Sequence, residues 1–214
     1  MFVRLLLLGG LALLCGCSTS VQSVGDVVQA FTGTGDGQAS RIPLDSRYRH
    51  LRIAVHGRST VLILGYVDAD PEGPIETWYS AGGKETIRLQ NGRFVGGTGL
   101  PVEWRNVKLS AQPGWQAIGT AMKIVRRRDV MPGYEYGLVD TLTVEPIAAP
   151  RHTSLYGKPQ PDWHWFEEVS SGAAALPPSR YAVEIRDGVP TVVYGEQCLS
   201  RTFCISWQRW PLDS

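Results

Sequence analysis

The stretch from His50 to Ala69, "HLRIAVHGRSTVLILGYVDA", decides the fold class. Leu51, Ile53 and Val55 alternate with Arg52 and Ala54, and a period of two puts the three apolar residues on one face of a strand. His56-Gly57-Arg58-Ser59 then supplies a turn, and Val61 to Val67 returns as a more apolar run. Two adjacent runs joined by a short glycine-bearing turn predict a β-hairpin. Downstream, "KETIRLQNGRFVGGTGL" (84–100) repeats the pattern with Asn91-Gly92 at its tip, a pair that tolerates the positive φ of a type I′ turn. "SRYAVEIRDGVPTVVYGEQCLS" (179–200) alternates at Tyr181, Val183 and Ile185 and turns at Asp187-Gly188, and "TFCISWQRW" (202–210) supplies a last strand.

Between these hairpins, "VKLSAQ" (107–112) and "GWQAIGTAMKIVRRRDVM" (114–131) predict one or two further strands, and "MPGYEYG" (131–137) turns into "LVDTLTVEPI" (138–147). A proline-rich connection follows, and "SSGAAALPPS" (170–179) is the best candidate for a mobile loop. The 24 glycines and 14 prolines fall between apolar runs without a repeat, as an all-β domain with many turns requires.

Upstream the pattern changes. Arg4 is followed by an apolar run from Leu5 to Leu14, too short to cross about 30 Å of hydrocarbon as a helix, and this predicts a signal peptide. Its end, Leu14-Cys15-Gly16-Cys17, resembles the lipobox of bacterial lipoproteins. Read on Cys17, Gly16 is the small residue before the cut, whereas Cys15 would follow Leu14, a poor fit. The resemblance implies that residues 1–16 leave as signal and that Cys17 is lipidated, tethering the protein to a membrane through acyl chains worth about 0.8 kcal/mol per buried CH₂. Ser18, where an Asp would favour inner-membrane retention in enteric bacteria, points to the outer membrane, periplasmic face. Val21, Val24, Val27, Val28 and Phe31 then recur at three- and four-residue intervals, predicting a short helix over about 20–31 before a glycine-rich linker ending near 40. The β-rich domain is expected over 41–214.

The formal net charge is +1, and Arg4 is the single charge in residues 1–16, so the remainder is neutral. That balance supports no nucleic-acid partner. Arg126-Arg127-Arg128 is a local exception, expected as a solvated strand end or as a spot for an acidic polymer or a partner loop. Cys198 and Cys204 flank five residues between two strands and predict a structural disulfide, since the four histidines show no ligand-like spacing near them and no metal site is expected. Glycine motifs that cradle phosphate are absent, and no cofactor is expected. Adjacent Glu167 and Glu168 would point to opposite faces of a strand, and no nucleophile-base constellation appears, so the expectation is a protein that is not an enzyme. Seven tryptophans suit core packing or sugar stacking. Trp163 and Trp165 in "PDWHWFEE" share one side of an extended segment and are the candidate glycan-binding residues.

Several stretches in order resemble the YjbF/GfcB family of lipoproteins linked to group 4 capsule and exopolysaccharide systems: Leu64-Gly65-Tyr66, Trp78-Tyr79-Ser80, Asn91-Gly92-Arg93 and Gly99-Leu100-Pro101, then "WHWFEEV", "SRYAVEIRDG" and "YGEQCLS". At Ser179-Arg180-Tyr181-Ala182 the chain departs from the family's Asn-Arg-Tyr-Trp step and loses an aromatic. The resemblance implies a curved antiparallel sheet or partly open β-barrel and a non-enzymatic role in making or exporting a surface polysaccharide. That role would run through glycan binding or through polysaccharide-export proteins. The alternative expectation is a lipid- or lipoprotein-handling protein that shelters acyl chains in the concave face of the barrel.

Overall fold

A computed structural model describes residues 43–211. The signal segment, Cys17 and the helix expected over about 20–31 lie outside the described residues. The described chain is all-β: β1 (His50–Val55), β2 (Arg58–Asp68), β3 (Ile75–Tyr79), β4 (Thr86–Gln90), β5 (Arg93–Thr98), β6 (Glu103–Leu109), β7 (Met122–Met131), β8 (Glu135–Ile147), β9 (His164–Ser171), β10 (Ser179–Arg186), β11 (Val189–Cys198) and β12 (Cys204–Trp210). Every pairing is antiparallel and joins strands consecutive in sequence, except that β1 pairs with β12. The twelve strands therefore form one sheet that curls into a nearly closed barrel, its seam lying between β5 and β6. Across that seam the Phe94 and Trp104 rings pack edge to face, 5.8 Å between centroids.

Three of the turns follow directly from their dipeptides. His56-Gly57, Asn91-Gly92 and Asp187-Gly188 have φ of 49° and 74°, 50° and 79°, and 50° and 76°. Positive φ at both central residues gives the turn twist that matches the flanking strands. Because consecutive strands alternate direction, the turns divide between two ends of the barrel. One end carries the β1–β2 turn, the seam connection and the Cys198–Cys204 disulfide. The other carries the Asn91-Gly92 and Asp187-Gly188 turns, the long connections 110–121 and 148–163, and both ends of the described domain.

The interior is filled by side chains. Alternate residues of every strand point inward into one apolar cluster that includes Leu51, Ile53, Leu62, Trp78, Phe94, Trp104, Ile124, Leu142, Phe166 and Trp207. One inward row crosses β9 to β1 as Phe166, Tyr181, Gly195, Trp207 and Ile53. Gly195 is required there, since a Cβ at this position would lie 2.5 Å from the Trp207 indole. The stretch 114–121, expected as strand, instead forms a one-turn 3₁₀ helix (Trp115–Ala117) that drops Trp115 into the terminus-bearing end of the barrel. There Trp115 packs on Phe166 and Tyr181, 5.1 and 4.9 Å between centroids, and its indole N–H donates to the Asn91 carbonyl. Burying this large ring outweighs strand pairing for a segment interrupted by Pro113, Gly114 and Gly119. Within 170–179, the candidate mobile loop, Leu176 packs on the core and the Ala174 carbonyl accepts a hydrogen bond from Arg128 Nη2 at 2.7 Å.

Candidate functional site

Two groups of polar side chains stand out. The first lies inside the barrel. Arg126 and Arg128 of β7 share inward positions with Ile124, opposite Asp140 of β8, and both are buried. This corrects the expectation of a solvated Arg126-Arg127-Arg128 run: only Arg127 faces solvent, because a two-residue period sends its neighbours inward. Arg126 donates Nε–H to Asp140 Oδ1 at 3.0 Å and Nη2–H to Oδ2 at 2.5 Å, while Arg128 Nη1 donates to Oδ1 at 2.6 Å. Ser170 Oγ hydrogen-bonds the same carboxylate, and both guanidiniums lie within 5 Å of the Trp104 ring centroid. Burial alone would raise the Asp140 pKa; the hydrogen bonds and charge of Arg126, with Ser170 and Arg128, outweigh it and hold the carboxyl below the ordinary carboxylate value. Burial, then the charge of Arg126, lowers the Arg128 pKa.

A second interior set couples Arg93 of β5 to Glu168 of β9 at 2.6 Å, with the Arg93 guanidinium 3.9 Å from the Trp115 ring centroid. The Tyr181 hydroxyl lies 3.2 Å from both Glu168 Oε2 and Gln197 Oε1, and burial, then the Glu168 charge, drives its pKa far above the ordinary phenol value. Glu167 points the other way and pairs with Arg180 at 2.9 Å, as expected of adjacent carboxylates on a strand. These interior groups bond chiefly to one another and to the core, which makes them part of the fold.

The second group lies at the terminus-bearing end, where the proline-rich connection 148–163 folds over the outer face of the sheet. It covers an outward row running across five strands as Trp165, Ala182, Tyr194, Gln208 and Arg52. The Ser154 N–H donates to the Tyr194 hydroxyl at 3.0 Å, the Tyr156 N–H donates to Gln208 Oε1 at 2.9 Å, and Arg52 stacks on the Tyr156 ring. Trp163 and Trp165 fall on the same side, as alternation requires, and form a satellite cluster with Ala182, Val193 and Tyr194. Only 7% and 3% of their surfaces are exposed, so their main contribution is to hold the connection onto the sheet.

Two recesses flank this connection and share Gln160 and Trp163 in their walls. The larger, about 710 Å³, is mostly apolar, lined by residues such as Ile118, Ile147, Pro161, Trp165 and Ile185. The smaller, about 320 Å³, straddles the barrel rim between the two ends of the described domain. Its walls bring Tyr48 and Trp210 together with Arg49, Glu184, Arg186 and Arg209. Arg49 and Arg209 both donate to Glu76, at 2.7 and 2.8 Å, and both lie over the buried Trp78 ring, at 5.9 and 5.2 Å from its centroid. Arg186 pairs with Glu184 at 2.9 Å. Aromatic rings beside guanidinium forks can stack on a ring's C–H face while hydrogen-bonding its polar substituents. Among the described residues, no group of three or more His, Cys, Asp or Glu side chains could hold a metal ion.

Of the residues singled out in the sequence, Cys198 and Cys204 form the expected disulfide between register partners on β11 and β12. Trp163 borders both recesses and Trp165 the larger one. Arg49, Glu76 and Arg209 escape a reading of the sequence because Glu76 lies 27 positions from Arg49 and 133 from Arg209.

No protein-family model matches the chain, and no curated protein matches it. Among solved structures, the chain is similar to the hypothetical lipoprotein YmcC from Escherichia coli K12. The likeness has a TM-score of 0.59 and 16% identity, and covers 88% of this chain and 97% of that one. What the two proteins share at this identity is a fold: the nearly closed, all-antiparallel barrel.

Proposed function

We propose that this chain is a lipid-anchored envelope protein of the YjbF/GfcB kind, held through Cys17 at the periplasmic face of the outer membrane. There it serves capsule or exopolysaccharide production or export as a binding protein rather than a catalyst. The observation that carries the reading is the rim recess, in which Tyr48 and Trp210 stand beside a set of arginine forks, the pairing of ring faces with planar donors that suits a sugar. The lipobox-like Leu14-Cys15-Gly16-Cys17 supports the anchor, and so does the fold shared with a protein described as a hypothetical lipoprotein. The ordered motifs from Leu64 to Ser200 support the polysaccharide role. Deleting the gene tests it: surface or secreted polysaccharide should fall while sugar-nucleotide pools stay unchanged, and undiminished polymer counts against the role. Cys17→Ser tests the anchor, because the variant should lose processing and no longer sediment with envelopes after a salt wash.

The alternative, shelter for lipid inside the barrel, meets a physical obstacle. The concave face is occupied by Trp78, Trp104, Trp115 and Trp207 with their aliphatic neighbours, at the close packing typical of protein cores. Lipid bound inside the barrel in native mass spectrometry would revive it.

A further inference from the structure

The rim recess carries more information than its size. Its lining includes three guanidiniums, Arg49, Arg186 and Arg209, against the single carboxylate of Glu184. Arg186 and Glu184 neutralise each other through two bonds of 2.9 and 3.0 Å. The remaining two arginines share one partner, Glu76, which is not part of the recess lining. Two cations on one anion leave one unit of positive charge in this group. Arg49 gives one Nη2–H to Glu76 while 57% of its side chain stays exposed. Arg209 is more enclosed: Nε donates to the Val192 carbonyl at 3.4 Å, Nη2 donates to Glu76, and Nη1 is buried, so Arg209 adds charge behind the recess while Arg49 offers the open donors. Both guanidiniums lie over the Trp78 indole, which restrains them in place.

We infer that the rim recess recognises an acidic sugar, one carrying a carboxylate or a phosphate, with Arg49 gripping the anion, Arg209 adding positive charge behind it, and Trp210 and Tyr48 flanking the ring. This rests on the glycan-binding reading above and adds the charge of the ligand. A planar guanidinium fork matches both anions, so the shared chemistry is a two-oxygen anionic group. The flanking aromatics favour a sugar over a bare ion, and a volume near the low end for small-molecule sites favours one acidic residue of a chain over a long run.

The test uses the mature full chain in detergent, titrated calorimetrically with galacturonate trisaccharide, a phosphorylated maltotriose, neutral maltotriose and inorganic phosphate. At least one acidic trisaccharide should bind about tenfold or more tightly than maltotriose, with the preference shrinking between about 50 and about 500 mM salt. Arg49→Gln should cut the acidic preference, read as the ratio of acidic to maltotriose affinity within the same variant, by about tenfold. Glu76→Gln removes the competing anion and should tighten acidic binding, a gain that damage to the fold would not produce. Equal binding of acidic and neutral sugars overturns the charge assignment while the glycan reading survives. Inorganic phosphate competing as well as the acidic sugars overturns the role of the ring. Binding of none of the sugars overturns the glycan reading as well.

Discussion

Replacing Asp140 by asparagine isolates the buried ion cluster from everything else in the barrel. The side chain keeps its shape and loses its charge, and it is fully buried between Arg126 and Arg128, themselves nearly so. At least three charge-assisted bonds are weakened, and two guanidiniums are left in the interior without a counter-charge. Breaking a buried pair by removing one partner costs about 3–5 kcal/mol. For a domain of this size, each kcal/mol moves the melting temperature by about 2–4 °C, so the variant should melt roughly 6–20 °C lower. Urea unfolding followed by tryptophan fluorescence measures the loss, with Trp104 reporting locally because both arginines lie against its ring. The acid limb carries a sign as well. The folded Asp140 pKa lies below its unfolded value of about 3.9, so its contribution is fully present above that value and fades as pH falls through the folded pKa. Asp140→Asn should therefore show a shallower fall in stability below about pH 4 than the parent. Replacing Arg126, Arg128 and Asp140 together by Met, Met and Leu should recover most of the loss, since apolar substitution of a whole buried cluster is close to neutral. A loss under about 1 kcal/mol in Asp140→Asn would refute the view that the cluster is a mutually dependent unit.

Gly195→Ala places a methyl 2.5 Å from the Trp207 indole and should destabilise by about 1–3 kcal/mol in the same assay, and the same substitution made in a Trp207→Leu background should cost less. Trp165→Ala should cost about 3–5 kcal/mol, because the ring is buried against Tyr194 at 5.9 Å between centroids; hydrogen exchange should rise across 148–163. Changing Cys198 and Cys204 together to serine opens a small loop and should remove about 2 kcal/mol, the same loss that reductant produces in the parent and none in the variant.

The hairpins are legible in the sequence because their information is local. Asn91-Gly92 and Asp187-Gly188 announce positive φ, and the alternation at Leu51, Ile53 and Val55 names the inward face of β1. β9 and β3 are not legible as strands, since the prolines around 159–161 and the short, partly polar Ile75–Tyr79 give a weak periodic signal. The burial of Arg126 and Arg128 is beyond reach for a different reason. Residue type argues for the surface, and only the register that sets Arg126 opposite Asp140 reverses it. Register between strands is a property of the closed sheet. It depends on the β1–β12 pairing, which joins residues such as Leu51 and Arg209 from opposite ends of the described chain.

That same pairing accounts for where the candidate site lies. Joining the first strand to the last places Tyr48 and Arg49, just before β1, beside Arg209 and Trp210 at the end of β12, and Glu76 of β3 reaches both arginines across the rim. The recess is thus assembled by closure of the barrel: a chain with every hairpin formed but β1 and β12 unpaired would have its residues without its geometry. Closure also fixes the recess at the end where the chain enters the domain. If Cys17 carries lipid, as proposed, the stretch between residues 17 and 48 can extend at most about 110 Å, which bounds how far the recess can lie from the membrane. Lengthening that stretch would leave affinity for an acidic trisaccharide unchanged in solution and alter only which layer of the envelope the site can reach, so binding and polymer output separate within one series of length variants.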